Sequence, residues 1–533
     1  MAPSFGIIGS GPMAVYLLKH LVNESDALNI TVLEASDTPG IGMPYRPGMN
    51  ADFMLCNAFS REIPSVTQPL VEWLRSLPER ELSEWEMSPA DLSARAFYPR
   101  VLLGEYFGAE FLALCDLARS RGHAVRVLPR HRVIDIVPAP DATTCVVKTP
   151  KGLEKFTFST LAIATGHHWP DAPTIGSAAL VSPWPATTLE HIPAKRVGIL
   201  GSSLSAIDIA VALGHAHGTF QEDGAQIKWF PNDGSHDLRL TMVSRKGIMP
   251  EADFYYPFPY APLQRLTAAN VAAEVAKGSD GLLSRVFDLL LQELDASDPD
   301  YLDGLGPQAR TIAGFSDGYF ARRQDLGGLR ALRTTLTESR ASMQRKETVA
   351  HRAVLLHGHE EFDGALRALS PEDWEMFATH LMPVFADCYA AVPHLSVARV
   401  LALFEAGVLD LVATGDDATF EGTNEGGVSV HLADEMIELD LMIDARGQPQ
   451  ADLSDLPFPS LVPSLSPDQT HLEAPFRLHL TGPASEFAPI YCLSMPQVMV
   501  RYPFSQGLAN CATLSKLAAL DAVATAPTPV EPA

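Results

Sequence analysis

Three clusters of small, hydroxylic and charged residues in this 533-residue chain have the types and spacing to hold phosphate and ribose. The first is Gly9-Ser10-Gly11-Pro12-Met13-Ala14, in the pattern G-x-G-x-x-A. In such a turn Gly9 permits a sharp bend and Gly11 lets a pyrophosphate approach the backbone. The small Ala14 lets the following helix pack close to the strand. Glu34 stands 20 residues beyond Ala14, at the end of Ile30-Thr31-Val32-Leu33. A carboxylate there accepts hydrogen bonds from both ribose hydroxyls and repels a 2′-phosphate, so the site suits FAD or NAD and not NADP. A glycine-rich turn alone also occurs in unrelated α/β proteins. Strand, turn, helix, strand and acid in order are what set this cluster apart.

The second cluster is Gly201-Ser202-Ser203-Leu204-Ser205-Ala206, which follows the strand-like run Arg196-Val197-Gly198-Ile199-Leu200. Ser203 replaces the usual glycine; its Cβ narrows the approach, while its hydroxyl can bond a phosphate. A further run, Leu240-Thr241-Met242-Val243, leads into Ser244-Arg245-Lys246-Gly247. The acid expected for NAD is absent here, and the cation pair Arg245 and Lys246 suits a 2′-phosphate. Gly201, Ser203, Ser205, Arg245 and Lys246 are therefore the expected NADPH contacts. The plainer reading is that the two cations solvate a strand end. The gap from Ala206 exceeds the usual spacing of about 20 residues, and the polar stretch from His215 to Asp237 absorbs the excess.

Two further features point to FAD at the first turn. Pro39-Gly40-Ile41-Gly42-Met43-Pro44-Tyr45 is a second glycine-containing turn just after the acid, placed to cover a pyrophosphate. The apolar run Leu161-Ala162-Ile163 ends in Ala164-Thr165-Gly166, small residues that let the chain pass close to a cofactor. The expected FAD contacts are Gly9, Ser10, Gly11, Pro12, Ala14, Glu34, Gly42, Thr165 and Gly166.

The elements that must position these residues are short buried strands, each followed by a helix of 3.6 periodicity. Phe5-Gly6-Ile7-Ile8 precedes the first turn, and Val15, Leu17, Leu18 and Leu21 follow it. Ile207, Ile209, Ala210 and Leu213 repeat the pattern after the second. The fold class expected is α/β, with two Rossmann-like dinucleotide-binding domains and a helical insertion at about 255–405. Residues 1–190 form the first part of the FAD domain, 191–445 the NADPH domain, 446–525 the rest of the FAD domain, and 526–533 a disordered Pro-rich tail. The run Leu439 to Gly447 resembles a return strand ending beside the flavin. Leu282, Leu283, Val286, Phe287, Leu290 and Leu294 keep helical spacing within the insertion, and Ser370-Pro371-Glu372-Asp373 starts a helix there.

Composition limits the function classes. Acidic residues outnumber basic ones 64 to 39, a formal charge of −25 without any Lys/Arg run. Such a chain repels nucleic acid and anionic lipid surfaces. Anionic cofactors must then be held by backbone amides, helix N-termini and a few local cations. The 6 cysteines stand at no metal-binding or vicinal redox spacing. No metal site is expected, and a reducing cytoplasm is. With no signal-like leader and no apolar run long enough to span a bilayer, no membrane association is expected.

Longer blocks carry a resemblance. Gly42-Met43-Pro44-Tyr45, Glu72-Trp73-Leu74, Pro99 to Phe107, Ala164-Thr165-Gly166-His167 and Ser244 to Phe254 resemble bacterial FAD/NAD(P)-binding proteins of the YdhS type, from residue 5 to about 520. The wider family resembles flavin-dependent hydroxylases, including urate hydroxylases and amino-acid N-hydroxylases. The likeness implies that Asn57 and Arg100 lie near the flavin, where an Arg could steady charge at N1–C2; the competing role for Arg100 is a buried structural ion pair. His167 and His168 follow the Ala-Thr-Gly turn and could touch flavin or nicotinamide, although a loop histidine is more often structural. Cys56 lacks a resolving partner and reads as a small core residue.

Three activities are consistent with these residues. One is a monooxygenase in which NADPH reduces FAD, molecular oxygen forms a C4a-hydroperoxide, and a small substrate is N- or ring-hydroxylated. A second is an NAD(P)H-dependent reductase or dehydrogenase with a non-disulfide acceptor. The third is a non-catalytic flavin-binding protein. The aromatic run Phe254-Tyr255-Tyr256-Pro257-Phe258-Pro259-Tyr260 is expected either to line a substrate vestibule or to act as a packing strut. Substrate and oligomeric state are not legible.

Overall fold

The computed structural model describes residues 4–167, 173–224, 226–482 and 487–525. The expected tail at 526–533 and His168 lie outside the described residues. The chain is a mixed α/β protein with parallel sheets, divided into two compact units, Met1–Trp169 with Gln448–Ala533, and Pro170–Gly447.

In the first unit the near-continuous apolar runs build a five-stranded parallel sheet. Its order is Ile490–Cys492, Thr160–Ile163, Ser4–Ile8, Asn29–Leu33, Ala124–Leu128. Helix Pro12–Glu24 links Ser4–Ile8 to Asn29–Leu33, as a parallel pair requires a crossover. Pro12 occupies the first helical turn, where a missing N–H costs nothing and a fixed φ favours the helix. The helix is buried through Tyr16, Leu17, Leu18 and Leu21, each such apolar side chain contributing roughly 1.5–3 kcal/mol. The phenol of buried Tyr16 donates to the Pro64 carbonyl at 2.6 Å, so its hydroxyl is not stranded. Helix Leu508–Ala524, from the far end of the chain, packs on the same helix, and Ser515 donates to the Met13 carbonyl at 2.8 Å. A three-stranded antiparallel sheet, Arg132–Val137, Thr143–Thr149 and Gly152–Phe158, completes the unit's β structure.

The second unit has a four-stranded parallel sheet in the order Leu409–Ala413, Arg239–Ser244, Arg196–Leu200, Leu441–Asp444. The polar stretch after helix Leu204–His217 is a hairpin, Gly218–Asp223 with Gln226–Pro231, which takes up the extra sequence length. The helical insertion runs from Ala268–Val275 to His394–Glu405, and Ser370 caps its helix Pro371–Met376 by accepting from the Asp373 N–H.

Two boundaries differ from the sequence expectation. The first unit ends near 169 and not near 190, because Val181 pairs with Ile443 of the second sheet, its N–H reaching the Met442 carbonyl at 2.8 Å. The strand Leu441–Asp444 is itself an edge strand of that second sheet, paired with Arg196–Leu200, and so does not return to the first unit. The aromatic run packs inside the second unit, with Tyr260 3.7 Å and Tyr256 5.9 Å from the His357 ring centroid and Arg352 4.3 Å from that of Phe254. No helix among the described residues is long and apolar enough to cross a membrane.

Candidate functional site

The first glycine turn begins where Ser4–Ile8 ends. Gly9 has φ +94, and a Cβ there would sit 2.4 Å from the Ala164 carbonyl oxygen, so only glycine lets the two strand ends close. Gly11 is the N-cap of helix Pro12–Glu24 and offers no side chain to its first N–H groups. A Cβ on Gly11 would lie 3.1 Å from the Gly42 Cα, and one on Gly42 would lie 2.7 Å from the Pro12 Cδ. The second turn thus closes over the first with bare backbone on both sides, a cradle that side chains would fill.

Glu34 is buried at the end of the neighbouring strand. Its Oε2 accepts from the Ser10 hydroxyl at 2.7 Å, and its Oε1 accepts from the Ser36 N–H and hydroxyl, both at 2.7 Å. Ser10 in turn accepts from the Gly40 N–H at 2.9 Å, tying the second turn to the acid. A carboxylate has about four acceptor positions, so the three bonds present leave room for a ribose hydroxyl. Arg46 Nη2 lies 3.8 Å from Glu34 Oε1 and brings a cation to the acid. It directly follows the Gly42-to-Tyr45 block, but only the fold brings it back to the acid.

The second turn repeats the backbone with different side chains. Gly201 has φ +127, and a Cβ there would meet the Ala445 carbonyl oxygen at 3.0 Å. Ser203 is the exposed N-cap of Leu204–His217, with no side-chain capping bond, and Ser205 follows in its first turn. Ser202 Oγ lies 2.8 Å from Ser244 Oγ and 2.5 Å from the Ile248 carbonyl. Arg245 is exposed at the strand end, and its carbonyl accepts from the Gly415 N–H at 3.1 Å. Lys246 is half-buried. Its Nζ sits 3.7 Å from the Phe320 ring centroid, and burial, with Arg245 adding to it, holds its pKa below the usual lysine value.

Backbone pairing joins the two segments that carry Asn57 and Arg100. The Cys56 N–H donates to the Tyr98 carbonyl at 2.9 Å and the Arg100 N–H to the Met54 carbonyl at 2.8 Å, so Met54, three residues before Asn57, stands opposite Arg100 at the start of helix Arg100–Ser120. Asn57 is exposed and Arg100 half-buried. Arg100 is close enough to Tyr45 to pull its pKa down against the stronger effect of burial.

Thr165, Gly166 and His167 meet a C-terminal segment that the sequence motifs do not mark. Thr165 donates to Ser494 at 3.0 Å, and Met495 N–H reaches the Gly166 carbonyl at 3.3 Å. Gly166 has φ +71, with open space where a Cβ would stand. Burial holds the His167 imidazole below its usual pKa, against an opposing pull from Gln448, and so favours the neutral ring. Gln497, in the helix Met495–Val498, is buried with its Oε1 unbonded. Its amide nitrogen donates to the Asp452 carbonyl at 3.3 Å.

None of the 6 cysteines is in a disulfide, and all are buried. Cys56 is 6% exposed, as a core residue would be.

Residues 6–168 match the family model described as FAD-NAD(P)-binding, and residues 267–389 match the YdhS-like middle domain. A curated relative, the uncharacterized protein YdhS of Escherichia coli K12, is 35% identical over 521 residues, 96% of this chain and 95% of its own. Among solved structures, the ornithine N-hydroxylase of Kutzneria sp. 744 aligns over 98% of this chain and 99% of its own at 15% identity and a TM-score of 0.48. The ornithine hydroxylase of Pseudomonas aeruginosa aligns over 98% and 99% at 13% identity, with a TM-score of 0.49. The bacillithiol disulfide reductase of Bacillus cereus aligns over 97% and 99% at 11% identity and 0.41. At these values the structural likeness carries no argument about what this chain acts on.

Proposed function

This chain belongs to the YdhS family and carries an FAD-NAD(P)-binding domain, and from that premise we propose that it is an FAD-dependent, NADPH-using oxidoreductase, a monooxygenase that hydroxylates a small substrate at nitrogen or on a ring. In this reading both units are Rossmann-like, the first holding FAD and the second NADPH. The observation that carries it is the repeated glycine turn with opposite chemistry beside it, buried Glu34 at one and Ser244-Arg245 at the other. An acid accepts ribose hydroxyls; a neutral residue followed by an arginine accepts a 2′-phosphate.

Bound FAD would supply two-electron chemistry and the activation of molecular oxygen. The residues of this chain do the holding. Gly9, Ser10, Gly11, Pro12, Ala14 and Gly42 form the pyrophosphate cradle with the uncapped N–H groups of helix Pro12–Glu24. Glu34 takes the ribose, oriented by Ser10 and Ser36. Thr165, Gly166 and the neutral His167 lie where the strand from the first sheet ends, with Asn57 and Arg100 as further contacts. Gly201, Ser203, Ser205 and Arg245 hold the second nucleotide. The buried cysteines, none of them in a disulfide, argue against a disulfide acceptor and fit a reducing cytoplasm.

The test is anaerobic flavin reduction in the purified protein by NADPH and NADH, with and without amines, amino acids and purines. A yellow protein reduced faster by NADPH, and product formed in air without matching peroxide, is the expected result. Colourless protein that takes up no FAD would end the proposal. NADPH oxidation that yields only peroxide with every substrate class, or only reduced acceptor, would replace the monooxygenase with a reductase.

A further inference from the structure

The segment following the second nucleotide strand is gripped residue by residue. Thr414 N–H donates to the Ser244 carbonyl at 2.9 Å and Gly415 N–H to that of Arg245 at 3.1 Å. Lys246 Nζ lies over the Phe320 ring at 3.7 Å. Gly328 begins helix Gly328–Arg345 directly against Gly247, so closely that a Cβ on it would be 2.2 Å from the Gly247 carbonyl oxygen. Ser202 meets the Ile248 carbonyl, and Arg323 donates to that of Met249 at 3.2 Å. Farther on, Arg352 and Ser339 donate to the Ala252 carbonyl at 2.7 and 3.0 Å.

Most of these grips come from the helical insertion. Phe320 and Arg323 stand on helix Ile312–Leu326, and both this helix and Gly328–Arg345 fall within the matched middle domain. Arg323 is itself fixed, its Nη2 2.6 Å from Asp387 Oδ2, which also accepts from the Tyr319 hydroxyl at 2.7 Å. Its guanidinium lies 5.6 Å from the Phe320 centroid, so that one ring neighbours two cations. An ammonium seated on an aromatic face gives up that attraction if it swings away to a phosphate. Arg245, one residue earlier and exposed, has no such anchor.

We propose that the middle domain sets the nucleotide preference of the second unit: Phe320 holds Lys246 as an anchor for the loop, and Gly328 and Arg323 brace it, so that Arg245 alone of the two cations meets the 2′-phosphate. This rests on the reading of the second unit as an NADPH site. Lys246 and Phe320 are then positioning residues, acting through the loop and not on the nucleotide.

The test is calorimetric titration of the FAD-loaded full chain with NADP+ and with NAD+, on wild type, Phe320→Leu, Lys246→Met and the double variant, with melting temperatures alongside. Each single substitution should weaken NADP+ binding by about three- to tenfold while NAD+ binding stays within about twofold. The double variant should bind NADP+ no more weakly than the weaker single, because both remove one linkage. Should Phe320→Leu fold poorly, half-exposed Lys246 carries the measurement, with an expected loss well short of that from Arg245→Ala. The proposal is overturned if Lys246→Met costs as much as Arg245→Ala, if the single losses multiply in the double variant, or if neither single variant changes NADP+ binding. A wild type that binds NAD+ as tightly as NADP+ would instead remove the NADPH reading beneath it.

Discussion

The two glycine turns are one backbone device with two sets of side chains. Gly9 N–H donates to the Leu33 carbonyl at 2.8 Å, and Gly201 N–H donates to that of Val243 at 2.9 Å. Both glycines have positive φ and face the carbonyl of a small residue, Ala164 or Ala445, at the end of the next strand. A serine follows each glycine and reaches the residue that ends the neighbouring strand. Ser10 reaches Glu34 at 2.7 Å, and Ser202 reaches Ser244 at 2.8 Å. The difference therefore reduces to one position and its immediate neighbours in the chain. At the first turn a buried carboxylate is held by three donors; at the second a neutral hydroxyl is followed by Arg245 and Lys246. In the proposed function, this shared backbone geometry forms each nucleotide site, and the residue at the end of the second strand selects the nucleotide.

Five substitutions test that symmetry, taken from the largest effect down. Gly11→Val should abolish FAD retention, since the new side chain would press on Gly42, 3.1 Å from the Cβ position. Gly201→Val should leave the protein yellow yet stop reduction of its flavin by NADPH, as absorbance under anaerobic mixing would show. If either substitution removes both nucleotides, the two turns are not independent sites.

Arg245→Ala should raise the NADPH Michaelis constant by roughly 10- to 100-fold, because a charge-assisted contact to phosphate is worth about 1.5–3 kcal/mol. The NADH constant should scarcely move; an equal rise in both would make Arg245 structural. Ser244→Glu rebuilds the first turn's chemistry at the second, with Ser202 in place to donate to the new carboxylate as Ser10 does. NADPH should then bind about tenfold more weakly and NADH more tightly, and unchanged selectivity would break the comparison. Ser10→Ala should be mildest, with the Gly40 N–H and one Glu34 oxygen losing a partner. The expected loss is on the order of 1–3 kcal/mol, read as a melting temperature a few degrees lower and a weaker hold on FAD. No change in either would show that Ser10 does not orient the acid.

What the sequence by itself determined was local: both glycine turns, the acid at Glu34, the cation at Arg245 and the helices that start behind each turn. These depend on φ at one residue, on periodicity, and on a spacing that a strand-helix-strand unit imposes. Tertiary structure decided the rest. Arg46 approaches Glu34 only because the Gly42 turn folds back over Gly11. Lys246, by type and position a phosphate ligand, is drawn onto Phe320 from a helix of the insertion. Ser494 and Met495 reach the Thr165–Gly166 strand end from near the C-terminus. The first unit closes near 169 because Val181 finds its partner at Ile443, far along the chain. In each case the deciding contact joins residues distant in sequence, and no periodicity or short motif records such a pairing, since it exists only once both elements have packed on the same sheet or helix.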